Sequence, residues 1–439
     1  MPDCLIVAPS AYPLGGLATW LDMLIPGLTQ AGWNVRLGLV AGRWHDTTRY
    51  LREHEQLPVR EVRNRTGTRE GRVRSLARVI AAERPDLLVV VNIPDAYDAV
   101  ARLRKRKMPG LRTVMAVHAI ESDYFAELRE LQAVVDAVVC ANRLACRLAE
   151  VGSGFPRERV FYAPGGVEMP PWRGPRPAGE RLEILWAGRL DERTKRVSDL
   201  PRIVTALAPN GIKIGLTIAG DGPDEEAARQ SLATVPPFAA VRFLGRVSQA
   251  DLTTRILPAH DLLLVTSPRE TGPLVAWEAM AAGVVVVSSR YLGSGLEGAL
   301  VDQRNSRLFE VGDSGAAARC IAELAEPGAR AELALAARRM IESRYRRELS
   351  VAAWQAAFAA ALATPPREMA TVIPRRGQTA GRLDRWFGIG FAENLREWLG
   401  REFVHSSPGG EWPHSYGNWG DETEFLALAR RLDRDEAAA

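Results

Sequence analysis

The chain has 439 residues, 46% of them hydrophobic and 25% charged, with a formal net charge of +4. At about 150 residues per domain, this is material for two or three globular domains. It excludes disordered, collagenous and disulfide-framework proteins. The longest apolar runs, such as Leu87 to Val91 and Val284 to Val287, are strand-sized, well short of the roughly 20 residues that span a bilayer. The four cysteines (Cys4, Cys140, Cys146, Cys320) have neither CxxC nor zinc spacing and read as reduced thiols of a cytoplasmic protein. Met1-Pro2-Asp3 lacks the basic and apolar start of a secretory signal.

The charge is uneven. Residues 1–168 hold 23 Lys and Arg against 19 Asp and Glu, whereas residues 169–439 hold 34 of each. Arg60 to Arg78 alone carries seven arginines against two glutamates, and Arg102 to Lys107 forms a second basic cluster. These two stretches suggest peripheral contact with an anionic membrane or an anionic acceptor. No nucleic-acid partner is indicated.

In chain order, Leu5–Ala8 reads as a buried strand, Pro9–Gly16 as a loop, Leu17–Gln30 as a helix and Val35–Val40 as a strand. Strand Leu87–Val91, helix Asp95–Lys107 and strand Thr113–Val117 follow. Ala137–Cys140, a helix to about Val151 and Val160–Ala163 close the series. Continuous apolar strands alternating with helices predict a parallel sheet covered on both faces. Residues 168–181 contain four prolines and read as a linker, assigned to 169–181.

The pattern then restarts. Leu182–Ala187, Ile214–Ala219, Val241–Leu244, Leu262–Val265 and Val284–Val287 are predicted strands, and helices run from about Gly315 to Leu362. The expected organisation is a first domain over 1–168, a second over 182–345, a helix over 346–364 returning to the first domain, and a Trp-rich extension over 365–439. The predicted class is α/β, with two doubly wound parallel-sheet domains facing a central cleft, where such sheets bind ligands. The apolar series from Leu383 to Phe403 in the extension approaches helical period and is interrupted by Gly388 and Gly390. It would either pack over the first domain or lie on a membrane, and intramolecular packing is the favoured reading. Asp433-Arg434-Asp435 reads as surface charge on a terminal helix rather than a metal motif.

The most informative string runs from Pro268 to Gly283. It leaves strand Leu262–Val265 and opens a helix, with Pro273 suited to the first turn and Thr271 or Gly272 to the cap. Such a helix start leaves backbone N–H groups for an anion. Glu270 and Glu278 flank it; carboxylates repel phosphate but accept strongly from hydroxyls. An anion with hydroxyl-bearing groups on either side describes a nucleoside diphosphate sugar. Trp186 to Arg196 leaves another predicted strand and supplies Gly188, Arg189 and Lys195, a rigid fork and a flexible point charge suited to a diphosphate. Gly15-Gly16 follows the first strand and permits close phosphate approach. The chain has no GxGxxG, which argues against a dinucleotide oxidoreductase. His118 ends a parallel strand at its carboxyl edge.

Together these strings resemble the retaining GT-B glycosyltransferases of family 4. Glu270 to Glu278 resembles that family's E-x7-E motif, continued by Glu-Ala-Met-Ala-x-Gly at 278–283. Gly188-Arg189 and Lys195, Gly220-Asp221-Gly222-Pro223 and Val241 to Gly245 resemble further landmarks. The resemblance covers roughly residues 5–362. It implies two Rossmann-like domains, a nucleotide-sugar donor, and a sugar, lipid-linked or small-molecule acceptor. It implies Glu270 on donor-sugar hydroxyls, Glu278 on ribose hydroxyls, and Arg189 and Lys195 on the diphosphate. Amides of Gly15 and Gly16 and of the segment from Gly272 through Pro273 to Leu274 would assist, with His118 lining the sugar near the reacting carbon. It further implies front-face retention with a phosphate oxygen taking the acceptor proton, and neither metal nor cofactor. The usual Pro-Asn-Gly is Pro164-Gly165-Gly166 here, and Leu17-Ala18-Thr19 stands where an acidic residue is usual, so acceptor handling differs. Cell-surface glycan or glycolipid assembly at the inner face of the membrane is the expected setting. The alternatives are a small soluble natural product as acceptor, or a non-catalytic nucleotide-sugar binder.

Overall fold

The computed structural model describes residues 1–9, 16–40, 52, 57–172, 174, 176–177, 179–367, 381–400 and 422–435. The chain divides into two compact units. The first comprises Met1–Ala141, Ala145–Ala163 and Val351–Leu428; the second comprises Asn142–Leu144, Pro164–Ser350 and Ala429–Ala439.

The first unit is built on seven parallel strands: β1 Asp3–Pro9, β2 Asn34–Val40, β3 Val59–Val62, β4 Leu87–Val91, β5 Arg112–Val117, β6 Ala137–Cys140 and β7 Val160–Tyr162. Their order in the sheet is β3-β2-β1-β4-β5-β6-β7, so the winding reverses between β1 and β4. β4 is buried along its whole length, as expected for a strand covered on both faces. Helices α1 (Gly16–Gln30), α2 (Arg69–Glu83), α3 (Asp95–Arg106), α4 (Ser122–Leu131) and α5 (Arg143–Arg147) connect these strands. A wider turn, Leu148–Gly152, extends α5 to the predicted length.

The second unit repeats the plan with β8 Leu182–Ala187, β9 Ile214–Ala219, β10 Ala239–Gly245, β11 Leu262–Val265, β12 Val285–Ser289 and β13 Arg307–Phe309. All pair in parallel in the order β10-β9-β8-β11-β12-β13, and the reversal falls between β8 and β11. Open α/β sheets bind ligands outside the carboxyl ends of the strands at that reversal. The helices that matter below are α6 (Glu192–Lys195), α7 (Leu274–Ala282), α8 (Ser294–Glu297), α9 (Pro327–Arg344) and α10 (Arg347–Ala363). The part of α10 from Val351 onward belongs to the first unit, where Trp354, Ala357, Phe358 and Ala361 complete the core under α1 and β1.

The basic stretch is largely satisfied within the first unit. Arg69 pairs with Asp95 at 3.0 Å and also with Asp98, and Arg72 pairs with Asp95. Arg74 pairs with Glu70 at 2.9 Å, Arg60 with Glu83 at 2.8 Å and Arg78 with Glu397 at 2.6 Å. In the second cluster Arg102 chelates Glu70, and Arg104 is buried against Asp136. Much of the local positive excess is therefore matched by carboxylates, several of them from other segments.

The extension contributes α11 (Arg382–Phe387) and α12 (Ile389–Leu399) to the first unit, packed against α2. Gly388, at φ +81°, breaks the predicted series between them. The last described helix, α13 (Thr423–Asp435), corrects one expectation. Asp433 is not surface charge: it is 6% exposed, and its carboxylate accepts the N–H groups of Gly293 and Leu296, both at 2.8 Å. It caps α8, an environment its local sequence cannot reveal. Trp412 and Trp419 lie outside the described residues.

Candidate active site

Two loops of the second unit leave neighbouring strands at the sheet reversal. The first follows β8 and carries Gly188, Arg189 and Lys195. Asp191 caps α6 by accepting the Thr194 N–H at 2.9 Å. Arg196 then turns left-handed at φ +48° and binds Asp199 through two hydrogen bonds of 2.7 and 3.0 Å. These contacts fix the short turn that ends in Lys195, while Arg189 is exposed.

The loop is braced from beneath by the Gly220-Asp221-Gly222 turn after β9. Leu190 N–H donates to Asp221 O at 2.8 Å. A Cβ on Gly220, whose φ is +140°, would stand 1.9 Å from Gly188 O; one on Gly222 would stand 2.2 Å from Leu190 O. Backbone meets backbone, so both positions exclude side chains.

The second loop follows β11. Its first residue, Thr266, accepts the Trp186 indole N–H at 3.1 Å and donates to Lys195 O at 2.6 Å, tying the two loops together. Glu270 is held by its N–H on Leu292 O at 3.2 Å, and its carboxylate meets the Lys195 ammonium in an ion pair. Gly272, at φ +121°, turns the chain into α7. Pro273 is the cap itself and Leu274 the first helical residue, so the helix starts just after Pro273. Proline offers no capping side chain. The first-turn amides of Leu274 and Val275 therefore have no acceptor within the helix, which leaves them suited to an anion.

Glu278 lies a turn further in, 7% exposed, with Gln249 Nε2 donating to its carboxylate. Burial pushes its pKa up from 4.5 to about 7, against the opposing hydrogen bond from Gln249. The neighbouring Trp277 stacks on Tyr345, centroids 4.8 Å apart and planes 19° apart, anchoring α7 against the segment before α10. A Cβ on Gly165 would stand 2.8 Å from the Leu274 side chain, so the departure Pro164-Gly165-Gly166 matches tight packing at the helix start.

The first unit holds the remaining candidates. Gly16 opens α1 and is exposed; Gly15 lies outside the described residues. His118 follows β5 at its carboxyl end. It stacks on Trp354 (5.4 Å, 14°) and meets Trp20 edge-on (4.4 Å, 61°), and desolvation lowers its pKa to about 4. Its ring is neutral at neutral pH. The structure thus brings together Gly188, Lys195, Glu270, Gly272, Pro273, Leu274 and Glu278 around the second sheet's reversal. Sequence reasoning missed Thr266, Gln249, Trp20 and Trp354, whose roles depend on distant partners. Thr266, directly after a strand at the carboxyl edge, is the one with a local signal.

Residues 181–327 match the family model described as Glycosyl transferases group 1. The chain is 27% identical over 303 residues to the GDP-mannose-dependent alpha-(1-6)-phosphatidylinositol dimannoside mannosyltransferase of Mycobacterium tuberculosis, covering 63% of this chain and 76% of that protein. Its fold is similar to that of HepE of Anabaena in complex with UDP and glucose, with a TM-score of 0.66 at 18% identity over 82% of this chain and all of that one. Sucrose-phosphate synthase of Thermosynechococcus elongatus gives 0.65 at 16% identity, over 83% of this chain and all of that one. The group 1 match lies within the second unit, and the two parallel-sheet units have the fold of GT-B glycosyltransferase structures.

Proposed function

We propose that the protein is a retaining glycosyltransferase of family 4 that moves a sugar from a nucleoside diphosphate sugar to an acceptor hydroxyl. The observation that carries this reading is the ion pair between Lys195 and Glu270. A cation suited to phosphate and a carboxylate suited to sugar hydroxyls stand in contact, so a ligand that suits both offers the two groups side by side. A sugar bonded directly to a phosphate meets that condition. Glu278, buried on α7, takes the ribose hydroxyls at the other end, and the amides at the start of α7 take phosphate oxygens between them.

In the step itself, the bond from the anomeric carbon to the diphosphate oxygen breaks as a bond to the acceptor oxygen forms on the same face. The acceptor proton passes to a phosphate oxygen of the departing nucleotide. Arg189 and Lys195 stabilise the charge that grows on that group, which gives the reaction its electrostatic assistance without a metal. The relative's name, a phosphatidylinositol dimannoside mannosyltransferase, supports a lipid-linked acceptor over a small soluble one.

A thermal-shift panel of UDP, GDP, ADP and dTDP with their sugars tests donor binding, since a ligand that binds only the folded state raises the melting temperature. Product analysis by NMR then tests retention. Stabilisation by none of the nucleotides, or a product of inverted anomeric configuration, would overturn the reading. Turnover abolished by EDTA and restored by a divalent cation would overturn metal independence.

A further inference from the structure

Helices α11 and α12 have two sharply different faces. The inner face is polar and spent. Glu393 is fully buried and accepts the hydroxyls of Thr68, at 2.8 Å, and Thr66. Arg396, also buried, pairs with Asp384 and, at 3.3 Å, with Glu393. Glu397 turns to Arg78 at 2.6 Å. Every acidic group on these two helices is therefore drawn inward and neutralised.

The outer face carries Trp386, Phe387, Phe391 and Trp398, which are 70%, 60%, 57% and 81% exposed. Phe387 and Phe391 pack on each other across the Gly388 break, with centroids 5.7 Å apart. Phe391 and Trp398 are seven residues apart, which places them within about 20° of each other on the helix surface. The exposed charges on the two helices are Arg382 and Arg385, both positive.

We propose that this aromatic crest docks the protein on an anionic lipid bilayer. A cluster of large exposed rings on an ordered element marks a surface meant to be covered. Tryptophan and phenylalanine favour the bilayer interface, and arginines beside them favour anionic headgroups. Of the acids that would oppose such a surface, Asp384 and Glu393 are buried and Glu397 is paired with Arg78. Six of the seven arginines of the 60–78 stretch are paired with carboxylates, so the contact is assigned to the extension. This inference stands independently of the transfer chemistry.

The test is sedimentation of the full-length protein with vesicles of phosphatidylglycerol and phosphatidylcholine in equal parts, compared with phosphatidylcholine alone. Binding to the mixed vesicles should weaken with added salt. Trp398→Ser and Phe391→Ser should each weaken it about tenfold, and Arg382→Glu with Arg385→Glu should remove the preference for the anionic lipid. Both arginines and Trp398 are exposed, so melting temperatures should stay at the wild-type value, and donor hydrolysis in solution should be unchanged. The proposal fails if the wild-type protein stays with the supernatant, or if the crest variants bind as well as wild type. It also fails if the protein ignores vesicles and light scattering shows a dimer that Trp398→Ser dissolves, because the crest would then join two copies of this chain.

Discussion

Lys195 and Glu270, 75 residues apart in sequence, close an ion pair at the point where the second sheet reverses its winding. Each side chain is partly shielded, and each neutralises the other. Replacing Lys195 by Ala leaves a half-buried carboxylate facing the phosphate position, which is worse than losing a cation alone. We expect Lys195→Ala to lower kcat by about two to three orders of magnitude. Lys195→Ala with Glu270→Gln should cost less than the sum of the single effects. Steady-state kinetics of the double-mutant cycle with a single donor measures this; strict additivity would separate the two residues' roles.

Burial holds the carboxyl of Glu278 up to about 7, so on the proposed reading donor binding should depend on pH. The proposed role of accepting ribose hydroxyls would favour the ionised form, so donor affinity should rise from about pH 6 to about pH 8 and then level off. Gln249→Ala removes a hydrogen bond that favours ionisation and should move that rise to higher pH. Calorimetric titration at a series of pH values reads both. The same shift has a stability consequence with a definite sign. A group whose pKa is raised on folding favours the folded state fully below its unfolded value of 4.5, and that contribution is lost as pH rises through about 7. Glu278→Gln should therefore raise the melting temperature above pH 7, by the equivalent of about 1–3 kcal/mol, and have little effect near pH 4.

His118 has the opposite titration. Its pKa is depressed from 6.5 to about 4 by burial, so stability present at neutral pH should decline as pH falls from about 6.5 towards 4. His118→Phe keeps a ring between Trp20 and Trp354 and should flatten this slope, which thermal melts across that range would display. No limb of the activity profile between pH 5 and 8 should belong to His118, and NMR of its ring nitrogens should find it neutral throughout.

Much of this was legible in the chain because buried parallel strands announce themselves as apolar runs. Leu87–Val91, Ala137–Cys140, Leu182–Ala187, Ile214–Ala219 and Leu262–Val265 coincide with their strands end to end. The edge strands were harder to read. Val59–Val62 (Val-Arg-Glu-Val) and Arg307–Phe309 are short and carry charge, so they lack an apolar run and went unread, and Ala239–Gly245 alternates where it faces solvent. The site residues that follow strand ends were legible for the same reason as the strands. Gln249 and Asp433 were not: their positions depend on contacts 29 and 137 to 140 residues away, which no local spacing encodes.

The glycine turn under the phosphate loop should be among the least tolerant positions of the second unit. Gly220→Ala would force a methyl against Gly188 O and impose a strained backbone at φ +140°. That costs about 2–4 kcal/mol if the turn holds, or displaces the Gly188-Arg189 loop if it yields. Either way donor affinity or melting temperature should fall. Gly211→Ala, where φ is +67° but nothing lies within 4 Å of the added carbon, should cost only the backbone term of about 1 kcal/mol. Comparable losses in the two variants would mean that the contact between the two turns does not hold the loop.

Asp433 makes the final test, because it binds across 140 residues to an element of only four. Its two hydrogen bonds hold the Gly293 and Leu296 amides, and the adjacent chain leaves no room at Gly295, where a Cβ would stand 2.3 Å from Asp433 O. Asp433→Ala should cost about 1–2 kcal/mol, the value of a charged cap, and Asp433→Asn about half of that. The distinguishing readout is hydrogen exchange. The amides of Gly293 and Leu296 should lose protection in Asp433→Ala while the strand amides of Val285–Ser289 keep theirs, since only the cap has been removed. Uniform loss of protection across the second unit would mean that Asp433 supports the domain as a whole rather than this one turn.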